Sequence, residues 1–202
     1  MKKQSRALFF LVAVLSLAGL VSCGPKAFVK GEYDDPDKQN LLNDSWSETD
    51  MQVVVKSLVD SMVGHPSIVK AQAPPILMVT NLQNKTSEHI DTQSIMDMVR
   101  VELTNSGKVA FVDKEAREDI QNEYNYQDSG MVNDSTKKGP GGQIGADYIV
   151  NGRLDSIVQE VGKDKTVYYK LTLNMTNLKT GVITWTGQKQ IRKAFKKKTI
   201  GL

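Results

Sequence analysis

Val167-Tyr168-Tyr169-Lys170-Leu171-Thr172-Leu173-Asn174-Met175-Thr176 decides what kind of fold this chain builds. Val167, Tyr169, Leu171, Leu173 and Met175 alternate with Tyr168, Lys170, Thr172, Asn174 and Thr176. A period of two sends the first set to one face of a strand and the second to the other, so one face meets a core and the other meets water. Upstream, Tyr148, Val150, Leu154 and Val158 fall mostly on one face of a preceding strand. Downstream, Thr180-Gly181 marks a tight turn, and residues 182–190 return as a third strand bearing Trp185. Together these make an antiparallel meander with one buried face.

The first two-thirds of the domain follow a different period. Ser47-Glu48-Thr49-Asp50 reads as a capping box, with Asp50 in the place of the usual Glu or Gln. The helix after it puts Met51, Val54, Val55, Leu58 and Met62 on one face and stops at Gly64. Ile76-Leu77-Met78-Val79 is a continuous apolar run, as in a strand buried on both faces. Residues 81–91 read as a polar loop. Thr92 is then placed to cap a second helix carrying Ile95, Met98, Val99 and Leu103 and ending at Gly107. Val109-Ala110-Phe111-Val112 is a second short buried strand, and a mostly polar third helix spans roughly 114–124. Strand–helix units and then a meander predict an α/β fold, a mixed β-sheet flanked by helices.

At the N-terminus, Lys2, Lys3 and Arg6 precede an apolar run from Ala7 to Leu20, which ends in Leu20-Val21-Ser22-Cys23. Fourteen residues are too few to span a bilayer, which needs about 20, and fit the apolar region of a cleaved signal. The four-residue ending resembles the bacterial lipobox, which implies a diacylglycerol on Cys23, cleavage before it and acylation of the new amino terminus. One acyl chain anchors only marginally, whereas two or three hold firmly. Cys23 is the single cysteine, so disulfides and thiolate metal sites are not expected. The chain is thereby divided into a signal peptide (1–22), a lipid anchor and flexible tether (23–46) and a globular α/β domain with a basic C-terminal tail (47–202). Gly24, where many diderm bacteria use Asp for inner-membrane retention, points to the outer membrane.

Charge excludes rather than suggests. The formal +3 includes three bases of the signal; without them 23 basic side chains face 23 acidic ones. Five of these bases, Arg192, Lys193, Lys196, Lys197 and Lys198, cluster at the end, where a solvated, frayed terminus is the expectation. Nothing here calls for nucleic acid. Lys137-Lys138-Gly139-Pro140-Gly141-Gly142 lacks the Lys-Ser or Lys-Thr and the preceding strand of a phosphate loop. Of the two histidines, His65 ends a helix. His89 lies beside Ser87, Glu88 and Asp91, but groups within five residues do not converge as a catalytic triad does. No spacing suggests zinc. The expectation is a binding module without catalytic residues, metal or cofactor.

Five stretches resemble the LpoB family of penicillin-binding-protein activators: Trp46-Ser47-Glu48-Thr49-Asp50, Asn84-Lys85-Thr86-Ser87-Glu88-His89-Ile90-Asp91, Asn105-Ser106-Gly107-Lys108, Gly145-Ala146-Asp147-Tyr148 and Thr180-Gly181-Val182-Ile183-Thr184-Trp185. The second is the most specific. The resemblance implies a domain similar to the N-terminal domain of TolB. It also implies a monomeric outer-membrane lipoprotein that binds a bifunctional class A penicillin-binding protein and stimulates peptidoglycan synthesis. Asn84, Thr86, Ser87, Glu88, His89 and Asp91 are the candidate contact residues, because polar loops on rigid scaffolds often carry function. Well-known members carry a long proline-rich tether, whereas only Pro25 and Pro36 lie between Cys23 and Trp46. As a coil, a 24-residue tether averages about 27 Å, against about 80 Å fully stretched. The tether therefore works nearly extended, or the periplasm is narrow, or the partner differs. Two rival readings are a lipoprotein of the curli-secretion-like α/β class, which would need spanning strands of about 9–11 residues, and an envelope scaffold with no enzyme partner.

Overall fold

The computed structural model describes residues 31–197. The chain divides after Pro36: residues 31–36 of the first unit carry neither helix nor strand, and every described helix and strand belongs to the unit that starts at Asp37. Cys23, the signal region and Lys198 lie outside the described residues.

The first half of the domain contains α1 (Glu48–Val63), α2 (Pro66–Val69), β1 (Ile76–Lys85), α3 (Thr92–Asn105), β2 (Ala110–Phe111) and α4 (Arg117–Tyr126). After a single π turn at Gln127–Met131, β3 (Tyr148–Val161), β4 (Asp164–Asn177) and β5 (Ile183–Lys196) complete the sheet. The sheet runs β2-β1-β3-β4-β5. β1 is parallel to both β2 and β3, while β3, β4 and β5 form the antiparallel meander. The expected mixed sheet flanked by helices is what the chain builds.

Helices α1 and α3 pack on each other and on the same sheet, α1 against β5 and α3 against β1. Val54, Val55, Leu58 and Met62 of α1 and Ile95, Met96, Val99 and Leu103 of α3 are buried against Leu77, Val150, Leu154, Leu171, Leu173, Met175 and Trp185. Tyr169 sits in the same row of β4, fully buried. Met96 takes the core position expected of Met98, which is only partly buried.

Several expected boundaries are corrected. β1 does not stop at Val79 but continues to Lys85, with a register shift between Val79 and Leu82 where Thr80 and Asn81 interrupt the pairing to β3. Its second half is polar because it forms part of a face with no helix on it, so apolar periodicity could not show it. Asp91, not Thr92, caps α3: its Oδ1 accepts from the amides of Gln93 (3.0 Å) and Ser94 (3.3 Å). The strand expected at 109–112 is a two-residue edge strand with Ala110 exposed. Val158 is exposed, since the β3–β4 hairpin runs on past the helices before turning at Gly162 (φ 59°). The strand expected over 182–190 reaches Lys196, so Arg192, Lys193 and Lys196 are strand residues and not a frayed tail.

Gly152 of β3 shows how closely β3 packs against its neighbours β4 and β1. A Cβ there would lie 2.2 Å from the backbone oxygen of Thr172 and 2.6 Å from Leu173 Cδ2. Neither the ladder nor the buried leucine can yield cheaply. Gly152→Ala is therefore expected to destabilise the domain by about 1–3 kcal/mol through overpacking. Gly145→Ala, where a Cβ meets nothing within 4 Å, is the control. Urea midpoints of the two variants make the comparison.

Candidate functional site

Residues 84–91 form the junction between β1 and α3, where half-buried Asn84, Thr86 and Glu88 alternate with exposed Lys85, Ser87 and His89. Asn84 organises the turn: its Oδ1 accepts from Thr86 N (2.9 Å) and Thr86 Oγ1 (2.7 Å), and its Nδ2 donates to the Glu88 carbonyl (2.8 Å). Thr86 Oγ1 in turn accepts from Glu88 N (3.1 Å). Asp91 is occupied as the α3 cap. Asn84, Thr86 and Asp91 thus satisfy backbone groups that would otherwise lack partners. Ser87 and His89 are exposed on the outer side of this frame.

Glu88 joins the loop to the rest of the domain. One carboxylate oxygen accepts from the amide of Trp46 (2.9 Å), and the other accepts from the Tyr169 hydroxyl. Burial first, and then the hydrogen bond to Glu88, push the Tyr169 hydroxyl far above its usual range, so it remains a donor. The Trp46 and Tyr169 rings meet edge to face with centroids 5.3 Å apart, a favoured aromatic geometry.

Beside Tyr169 lies an ion pair that the charge pattern conceals. Lys193, 5% exposed, places its Nζ 2.5 Å from Asp50 Oδ2, donates to the Ser45 carbonyl (2.6 Å) and stands 5.9 Å from the Tyr169 ring centroid. The same Asp50 oxygen accepts from Ser47 N and Ser47 Oγ, both at 2.9 Å, completing the expected capping box. Residues 40–46, expected within the tether, consequently lie on the domain as a strap. Asn40 N donates to Thr49 Oγ1 (3.1 Å), and Lys165 Nζ sits 2.5 Å from Asp44 and 3.3 Å from Glu160. The Lys165 hydrogen bond holds the Asp44 carboxyl below its ordinary value, and Asp44 and then Glu160 raise Lys165.

Asp50 is legible in the sequence as a cap and Tyr169 as core. Lys193 hides in a basic run, although alternation from Trp185 through Ile191 places it on the inner face of β5. Trp46 and Asp44 give no local signal of their contacts. Among the described residues, no group of three or more His, Cys, Asp or Glu side chains converges to hold a metal, and no helix is long and apolar enough to cross a membrane.

The arrangement defines a helix-backed mixed-sheet domain whose polar loop is braced by half-buried hydrogen bonds to the strap, the sheet and its own backbone. The family model for the peptidoglycan-synthase activator LpoB matches residues 50–191. The chain belongs to that family. Similar solved structures include the C-terminal domain of LpoB from Salmonella enterica, at 18% identity over 70% of this chain and 98% of that one, with a TM-score of 0.45. The NMR structure of Escherichia coli LpoB matches at 16% identity over 85% and 84%, with a TM-score of 0.43. A lipoprotein of Neisseria meningitidis, GNA1162, matches at 15% identity over 60% and 84%, TM-score 0.39. A comparison with curated protein sequences finds no match.

Two measurements test the strap. Lys193→Met leaves the Asp50 carboxylate buried without its cation and is expected to destabilise by about 3 kcal/mol, while Lys193→Met with Asp50→Asn recovers most of that loss. Urea unfolding of the single and double variants decides it. For Asp44, the depressed carboxyl contributes stability above its ordinary pKa of 3.8, and this is lost as pH falls through the lower folded value. The difference in urea midpoint between the native chain and Asp44→Asn should therefore be positive at about pH 6 and vanish towards about pH 2.

Proposed function

We propose that this protein is a lipoprotein, anchored through Cys23 to the periplasmic side of the outer membrane, that binds a bifunctional class A penicillin-binding protein and stimulates peptidoglycan synthesis. The observation that carries the reading is the synthase-activator family match across the folded domain. The chain works as a monomer and performs no chemistry itself. It acts by binding an active conformation of the synthase more tightly than the resting one; a tenfold preference corresponds to about 1.4 kcal/mol.

Contact is made through Ser87 and His89, the exposed residues of the 84–91 loop. Asn84, Thr86, Glu88 and Asp91 support them from within by fixing the loop in one conformation, which lowers the ordering cost of docking. Docking of residues 40–46 also bears on reach. Between Cys23 and the domain that starts at Asp37 lie 13 residues, which span at most about 45 Å. The synthase must therefore present its docking surface close to the membrane that holds this anchor.

Glycan polymerisation by purified class A synthases of the source organism, with and without the full chain, tests the reading. We expect a faster rate with at least one synthase; no change with any of them removes it. Ser87→Arg with His89→Glu should reduce stimulation at least tenfold, about 1.4 kcal/mol of lost coupling, while leaving the unfolding midpoint in place.

A further inference from the structure

The sheet has two unlike faces. α1 and α3 cover one. On the other, β1, β3 and β4 line a groove of about 500 Å3 at the place where the β1 register shifts. Bulges of this kind re-aim side chains and are frequent beside binding sites. Here the shift brings Thr80 and Asn81 to the groove beside Gln83, facing Asn151 and Arg153 of β3 and Thr172 of β4. The backbone of Gly152 forms part of its floor.

The chemistry of the lining is narrow. It holds three carboxamides in addition to Asn174, two threonine hydroxyls and one guanidinium, with no apolar side chain and no carboxylate. Among the described residues, the side chains of Asn81, Gln83, Asn151 and Thr172 make no hydrogen bond, so their donors and acceptors are available. Arg153 is oriented by Asp155, which accepts from its Nε at 3.1 Å and leaves the terminal nitrogens for another partner.

A protein partner draws on buried aromatic or aliphatic anchors, which this groove lacks. Nucleic acid needs several cations along a backbone, and the groove offers one, already paired. A lipid tail would find nothing apolar. Neutral donors and acceptors in rows about 4.8 Å apart suit a polyhydroxyl chain with amide substituents. A single guanidinium suits an occasional carboxylate along it.

We propose that this groove binds a glycan strand, an unbranched chain of N-acetylated sugars in which some residues carry a carboxylate that Arg153 receives. The choice of that particular glycan rests on the synthase-activator reading, while the groove's preference for polyhydroxyl ligands does not. Gln83 lies on β1 just before the 84–91 loop, so a strand held here would run beside a synthase docked on that loop.

Titration calorimetry tests this on the full chain in detergent, without any synthase, using a tetrasaccharide of alternating N-acetylglucosamine and N-acetylmuramic acid. We expect saturable binding that weakens at least tenfold in Asn151→Ala with Gln83→Ala, with an unchanged unfolding midpoint. Arg153→Gln should abolish the preference for this tetrasaccharide over an N-acetylglucosamine tetramer. Absence of binding at millimolar ligand, or equal affinity in the double variant, overturns the proposal. So does a photocrosslinker at position 151, on β3 within the groove, that captures the synthase polypeptide in place of glycan. Retained stimulation without glycan binding sinks the groove alone; glycan binding without stimulation sinks the activator reading alone.

Discussion

Lys193 and Asp50 form a buried ion pair at the point where the N-terminal strap, the first helix and the edge strand β5 meet. Removing two charges from water costs several kcal/mol per ion, and attraction alone offsets it only when the remaining hydrogen-bonding positions are filled. Here they are filled. Asp50 takes both groups of Ser47, and Lys193 reaches the Ser45 carbonyl and the Tyr169 ring. Each of these partners is then fixed by another requirement, Ser47 by capping α1 and Tyr169 by donating to Glu88. The pair thus specifies where the strap lies as much as it adds stability, because its remaining hydrogen bonds reach only the Ser47 and Ser45 groups at that position.

Glu88 makes the strap and the β1–α3 loop a single structural problem. Its two oxygens accept from Trp46 in the strap and Tyr169 in the sheet, while its backbone closes the Asn84–Thr86 turn. A loop whose inner polar atoms are engaged in this way can present its outer residues with little ordering cost at the moment of binding. Rigidity of this kind also lets a binding surface discriminate between two conformations of whatever docks on it, because little of the difference in affinity is lost to reordering the loop.

How much of this is readable from the chain depends on the range over which each signal acts. β4 is plain because an antiparallel strand with one wet face records its burial as strict alternation. The capping box of α1 is plain because its partners are three residues apart. The far half of β1 is hidden: Gln83, Asn84 and Lys85 pair with β3 through backbone groups while their side chains face water or the loop, leaving no apolar imprint. The strap is hidden for a deeper reason. Its bonds join residues 42, 125 and 148 positions apart, and nothing local to Asp44, Ser45 or Trp46 anticipates Glu88, Tyr169 or Lys193. Lys193 is additionally masked by its basic neighbours, although the inward parity of β5 carries through it.

The mixed topology explains why one face of the sheet is free at all. A wholly parallel sheet needs crossover helices on both faces, and its strands become apolar throughout. In this chain, α3 covers the parallel units from one side, and the antiparallel meander needs no crossover on the other. β3 and β4 can therefore keep Asn151, Arg153, Thr172 and Asn174 opposite a fully packed row of Val150, Leu154, Leu171 and Leu173. The polar face is consistent with stability because its backbone is satisfied by the ladder and its side chains are hydrated. Burial is concentrated on one side, the strap is tied down at one edge, and on the opposite surface Asn151, Thr172 and Asn174 stay half-exposed. With the β1 register shift opening that surface into a groove, the same strand supplies the helix-side core at Leu77 and Leu82, the groove at Thr80 and Gln83, and the braced loop that begins at Asn84.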